Sequence, residues 1–149
     1  IYKNTVPNDL LFDPATGVKI LGGIGVIWGL YLGKVGFNNY SSNEFFGFYQ
    51  LKNHHEFHPV QLSTEGLNGI VRHPLYFAGI ILIWSLFLIS PSKTLLISNA
   101  MISLYLYIGT LFEEKKLMMD FGDSYKAYKK NVSMLIPLKW LKQKIVKTR

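Results

Sequence analysis

The chain contains no cysteine. That excludes disulfides, thiolate nucleophiles and cysteine-ligated metal centres, and it leaves the redox compartment open. Acidic residues are scarce, nine against sixteen Lys and Arg, for a formal net charge of +7. Charge is absent altogether from residues 75–89 and 94–112, and residues 18–37 carry only Lys19 and Lys34. Both of those lysines lie near the ends of their run, where long side chains reach water. A secretory leader pattern is also missing, because residues 1–16 hold Pro7, Asn8, Asp9 and Pro14 around no apolar core. The first residue is Ile1 rather than methionine, and further residues upstream are expected.

What is present is strongly apolar, 49% of the chain against 17% charged. The charge-poor runs are long enough to matter, since 17–20 helical residues reach roughly 25–30 Å, about the hydrocarbon thickness of a bilayer. The expected fold class is therefore all-α, a polytopic membrane protein. Three transmembrane helices are followed by a cytoplasmic C-terminal amphipathic helix, and residues 1–149 form a single domain. The middle run is the shortest and calls for a thinned bilayer or shelter by neighbouring helices. A soluble all-helical domain is the alternative.

Charge placement orients the spans. Residues 113–149 hold ten Lys and Arg against four Asp and Glu, while residues 1–16 hold Lys3 against Asp9 and Asp13. Excess cationic charge stays in the cytoplasm, which puts the tail, the loop of residues 38–73 and any site beside them on that side. A basic tail next to a span also suits anionic lipid. No nucleic acid partner is expected, because the lysines follow a span and form no reader motif.

In the first run Gly25, Gly29 and Gly33 recur at intervals of four on one helix face. Small residues in such a stripe let another helix approach closely in lipid, so a helix–helix partner is expected there. The following loop contains Phe45-Phe46-Gly47-Phe48-Tyr49-Gln50 and then His54, His55 and His58 around Glu56. The order is not His-Glu-x-x-His and Pro59 would end a helix, so these read as solvated loop histidines and no metal site is assigned.

The central motif is Arg72-His73-Pro74-Leu75-Tyr76 with Gly79, at the head of the second apolar run. Proline suits the first turn of a helix and pushes the residue before it out of helical backbone, so His73 takes the cap. Free N–H groups then stand beside a cation and an imidazole, a ready place for an anionic ligand group. Interfacial anchoring to lipid headgroups is an equal reading. The third run leads into Glu113-Glu114-Lys115-Lys116. Neighbours on a helix point about 100° apart. Glu114 shares its face with Leu117, Met118 and Phe121 and is the expected inward carboxylate, while Glu113 can pair with Lys116. Beyond Gly122, Tyr125, Tyr128 and Val132 line one face of an amphipathic helix with lysines on its far side.

Taken together, Arg72-His73-Pro74-Leu75-Tyr76, Gly79, the Glu113-Glu114 pair, the Phe121-Gly122-Asp123-Ser124-Tyr125 stretch and Ile136-Pro137 resemble the integral-membrane methyltransferases. That group methylates prenylcysteine carboxyls, phospholipid amines or small thiols, and the thiol branch is the most similar. The resemblance covers roughly residues 66–137. It departs at Ser42, Glu44 and Tyr49, where the thiol branch would carry His, Asp and Arg. It implies a further set of upstream spans, with this chain as a C-terminal catalytic part or a shortened member. It also implies S-adenosylmethionine as methyl donor and a small thiol or lipophilic acceptor. The implied cofactor-binding residues are His73, Pro74, Tyr76, Gly79, Glu113, Glu114, Tyr125, Tyr128, Ile136 and Pro137. His73 and Arg72 are the implied catalytic pair. On this assignment His73 and Arg72 take the donor's carboxylate, Glu114 or Glu113 its amino group, the tyrosines its ribose or adenine, and Ile136-Pro137 caps the ring. Competing assignments are a nicotinamide-dependent sterol reductase, a phospholipid or prenylcysteine methyltransferase, and a membrane subunit without activity.

Overall fold

The computed structural model describes residues 10–38 and 62–147. The aromatic segment at 45–50 and the histidines at 54–58 lie outside the described residues. Within them the fold is all-helical: α1 (Thr16–Asn38), α2 (Pro74–Ile89), α3 (Lys93–Asn131) and α4 (Leu138–Lys147), with a 3-10 turn at Gly66–Gly69. Among the described residues there is no strand, only isolated bridges between Leu10 and Ser92 and between Val71 and Ser133.

Two helices, α1 and α3, are long and apolar enough to cross a membrane, rather than the expected three. The apolar helix α2 has 16 residues and falls short of that length. It starts at Pro74, which cannot continue a helix backwards, and it stops at Ser90-Pro91. Only 22% of the apolar stretch of α1 and 11% of that of α3 are buried, whereas a helix in a soluble core is mostly buried. Ile24, Ile27, Trp28, Ile97, Met101 and Tyr105 all stand open, a surface suited to lipid.

The α1 glycines have their neighbour within the chain. α1 runs antiparallel to α2, with Gly22 against Ser85 and Ile89, Gly29 against Ala78 and Leu82, and Gly36 against Leu75. A Cβ on Gly22 would lie 2.7 Å from Ile89 Cγ1 and 2.8 Å from the Ser85 carbonyl. The contact row therefore follows 22, 25, 29 and 36, and Gly33 stands farther off, with a Cβ 4.0 Å from Ala78. α2 and α3 form a hairpin through residues 90–92. Ser92 caps α3 by accepting from Leu95 N at 3.1 Å. Trp84 donates to Ser103 at 3.1 Å and Asn99 to the Ile83 carbonyl at 2.7 Å. Such interhelical hydrogen bonds satisfy polar groups that lipid cannot.

α3 is broken past its uncharged stretch, and the expected C-terminal amphipathic helix is the helical segment beyond that kink. The two parts meet at Gly122, with φ +51° and ψ −122°, backbone that favours glycine because a side chain there is strained. α4 is an additional helix beyond Pro137, a residue read from the sequence only as a ligand cap. The bend returns the chain to the head of α2: Arg72 N donates to the Ser133 carbonyl at 2.9 Å and His73 N to the Met134 carbonyl at 3.2 Å.

Candidate active site

Pro74 sets the site by placing His73 at the α2 cap in non-helical backbone, φ −122° and ψ 71°. Arg72 and His73 thereby turn back toward α3, where Glu113 and Glu114 stand just past the uncharged stretch 94–112. Arg72 is 9% exposed, His73 4% and Glu114 3%. Arg72 Nε donates to Glu114 Oε1 at 2.7 Å, and Nη2 donates to the same oxygen. Arg72 Nη1 donates to the carbonyl oxygens of Lys129 and Val132 at the end of α3. The other Glu114 oxygen, Oε2, lies 2.8 Å from Lys129 Nζ. One carboxylate thus holds two cations, and the arginine clasps the returning chain.

Glu114 is inward, as its helix face predicts, and both its oxygens are engaged within the protein. Glu113 keeps 40% of its side chain exposed and lies 3.4 Å from His73 Nδ1. The side chains that reach it are His73 and Tyr76. His73 Nε2 is buried and completes no hydrogen bond, at 3.6 Å from Glu114 Oε1. The Tyr125 hydroxyl is likewise buried without a completed hydrogen bond. The His73 and Tyr76 rings stack at 5.7 Å and 8°, and Tyr125 meets Tyr128 edge-on at 5.8 Å. Tyr128 donates to the Asn68 carbonyl at 2.6 Å, tying the bend to the 3-10 turn.

The charges shape the chemistry. The hydrogen bond from His73 leads in holding Glu113 below the usual carboxylate range, against partial burial. Burial pushes the Glu114 carboxyl up, but Lys129 and Arg72 outweigh it and hold it below that range as well. Burial pushes the Tyr125 hydroxyl up to about 12, which keeps it a hydroxyl able to donate a hydrogen bond. The cluster therefore offers a half-open carboxylate, an imidazole nitrogen and a hydroxyl without completed hydrogen bonds, within a charged frame.

Of the residues singled out in the sequence, Arg72, His73, Tyr76, Glu113, Glu114, Tyr125 and Tyr128 come together, and Pro74 is buried beneath them. Gly79 lies one turn along α2 with open space at its Cβ position. Ile136 is 61% exposed, and Pro137, next in the chain, is half-buried. Lys129 was missed. Its place on the tyrosine-bearing helix suggested the solvated side, yet it reaches Glu114 across the bend. Asn68 and Ser133 were missed too, since their contribution is mainly through backbone carbonyls that carry no residue-type signal.

This architecture defines a membrane protein with a buried ionic site where two helices end. The family model for phospholipid methyltransferases matches residues 18–124, and the chain belongs to that family. It is 38% identical over 99 residues to methanethiol S-methyltransferase 1 of Bradyrhizobium diazoefficiens, covering 63% of this chain and 33% of that one. It is 40% identical over 76 residues to methanethiol S-methyltransferase of Pseudomonas deceptionensis, covering 50% and 28%. The protein of that name from Mycobacterium tuberculosis is 31% identical over 67 residues, covering 45% and 27%. The chain spans about a third of the length of these curated relatives. No solved structure matches it. The family match ends before Tyr125, Tyr128, Lys129 and α4.

Proposed function

We propose that this protein transfers a methyl group from S-adenosylmethionine to a small thiol, at the cytoplasmic end of its membrane helices. The observation that carries it is the pair of buried polar atoms without completed hydrogen bonds, His73 Nε2 and Tyr125 Oη, beside the half-open Glu113. An unused nitrogen for the thiol proton, an unused hydroxyl for the nucleoside and an accessible carboxylate for the ammonium together fit a thiol beside that methyl donor. The relatives named for methanethiol support the thiol.

When bound, the donor supplies a methyl group on a positively charged sulfur, and transfer to a thiolate disperses that charge. The protein's part is positioning and exclusion of water. The free N–H groups at the start of α2 face the donor's carboxylate. Glu113 receives its ammonium, because Glu114 is already held by Arg72 and Lys129. Arg72 therefore positions the site rather than binding the ligand. His73 Nε2 takes the thiol proton as the sulfur attacks, with Glu113 at Nδ1 orienting the ring. Tyr76, Tyr125 and Tyr128 supply ring surfaces and a hydroxyl for the nucleoside. A phospholipid amine acceptor is the second reading, favoured by the open apolar faces of α1 and α3 beside the site.

Titration of the detergent-purified protein with S-adenosylhomocysteine tests recognition apart from chemistry. Glu113→Gln replaces a charge-assisted hydrogen bond with a neutral one and should weaken binding by about 1.5–3 kcal/mol, roughly ten- to a hundredfold. Unchanged affinity in Glu113→Gln would remove the ammonium site from this carboxylate. Binding of NADPH in place of the methyl donor would overturn the class of reaction. Label from S-adenosylmethionine appearing in phosphatidylethanolamine and not in methanethiol would decide for the second reading.

A further inference from the structure

We propose that α4 is a surface anchor that docks on anionic lipid headgroups at the bilayer edge beside α3. The proposal rests on residues 94–112 crossing the membrane. α4 reads LKWLKQKIVK and buries none of its residues. Leu138, Leu141 and Ile145 recur at three and four, so they share one face, and they are 57%, 44% and 64% exposed. Lys142 and Lys144 flank that face, and Lys139 and Lys147 lie away from it. From Ser124 to the end the sequence holds eight Lys and Arg and no Asp or Glu.

The position of α4 decides what this face meets. The bend at Gly122 brings the chain back toward the bilayer, since Thr110 Oγ1 lies 3.5 Å from Met134 Sδ. Thr110 is fully buried in the last turns of the uncharged stretch. Four residues on from Met134, at no more than about 3.6 Å each, α4 begins within about 14 Å of that level. Its ten residues reach about 15 Å, too short to cross a membrane but long enough to lie along its surface. Lys139 fixes the angle: its N–H donates to Ser133 Oγ at 2.9 Å and its Nζ to the carbonyls of Lys129 and Lys130 at 2.8 and 3.0 Å. An apolar stripe flanked by lysines, held at headgroup level, complements an apolar layer under negative charge. A second copy is a poorer occupant, because two such helices would bring like charges together with no acid between them.

The test uses the full chain reconstituted in bilayers, with Ile145→Cys labelled by an environment-sensitive fluorophore in this cysteine-free background. In phosphatidylcholine bilayers containing phosphatidylglycerol, emission should shift to the blue and be quenched by brominated acyl chains. The shift should be smaller in phosphatidylcholine alone and should fall as salt is raised. Lys142→Glu, at an exposed position flanking that face, should loosen docking by about fivefold or more, and Lys147→Glu, exposed on the far side, should loosen it less. Equal burial in both lipids, unmoved by salt or charge reversal, would overturn headgroup recognition. A label that no lipid-borne quencher reaches, whether in water or shielded by another chain, would overturn the anchor. A companion label at Tyr105→Cys, in the uncharged stretch of α3, should be quenched in either lipid. If it is not, the span itself fails, and that outcome is separable from failure of the anchor.

Discussion

The seam between α1 and α2 and the cluster where α2 meets α3 are held by opposite means. Along the seam no charge takes part, and the helices close on each other because glycine removes the side chain that would keep them apart. In lipid, burial of apolar surface favours neither the packed nor the separated state, so close fit and dispersion decide. At the cluster the fit is set by one carboxylate between an arginine and a lysine, with the arginine also capping the carbonyls of the returning chain. The seam tolerates no added volume and the cluster tolerates no unpaired charge. Each region should therefore fail to a different kind of substitution.

The largest effect is expected at the cluster. Glu114→Met leaves buried Arg72 without its carboxylate and should destabilise the protein by about 3–5 kcal/mol, and Arg72→Met, which leaves Glu114 its contact with Lys129, should cost less. Replacing both with Met should cost much less than the sum, which thermal unfolding of the four proteins in detergent would show as a coupling energy. Additive losses would mean that the pair is two independent contacts. Next comes the seam, where Gly22→Ala forces a Cβ against Ile89 and the Ser85 backbone and should destabilise by about 1–3 kcal/mol. Gly23→Ala, one residue along with open space around it, should be neutral or stabilising by up to about 1 kcal/mol. Equal behaviour of the two alanines would dissolve the distinction between packed and lipid-facing sides of α1. A smaller change, about 1–2 kcal/mol, is expected from Gly122→Ala, which meets no neighbour but strains a backbone with φ +51°. It should free the bend while leaving the spans inserted, read as faster proteolysis after residue 122 with unchanged membrane extraction.

Legibility in the sequence divides along the same line. The seam was readable because glycine spacing and helical period are both local, although the row in use adds Gly22 and Gly36 and leaves Gly33 loose. The inward face of Glu114 was readable for the same reason, since Leu117, Met118 and Phe121 share it. Its partner was not. Arg72 and Glu114 are 42 residues apart, and nothing in either neighbourhood distinguishes a ligand-binding carboxylate from one already paired. The length of α2 was readable from Pro74 and Ser90-Pro91, and what was overread is its capacity to cross a bilayer with 16 residues.

The uncharged helical runs, the inward face of Glu114 and the cap at His73-Pro74 follow from the sequence alone, because periodicity and proline geometry act within a few residues. The engagement of Glu114 by Arg72 and Lys129, the half-open state of Glu113, and the return of residues 133–134 to the level of Thr110 were decided only by the tertiary structure. Those depend on where the bend at Gly122 aims the chain. Charge pairing falls off steeply with distance, so a few ångströms of placement choose which carboxylate is locked and which is left open.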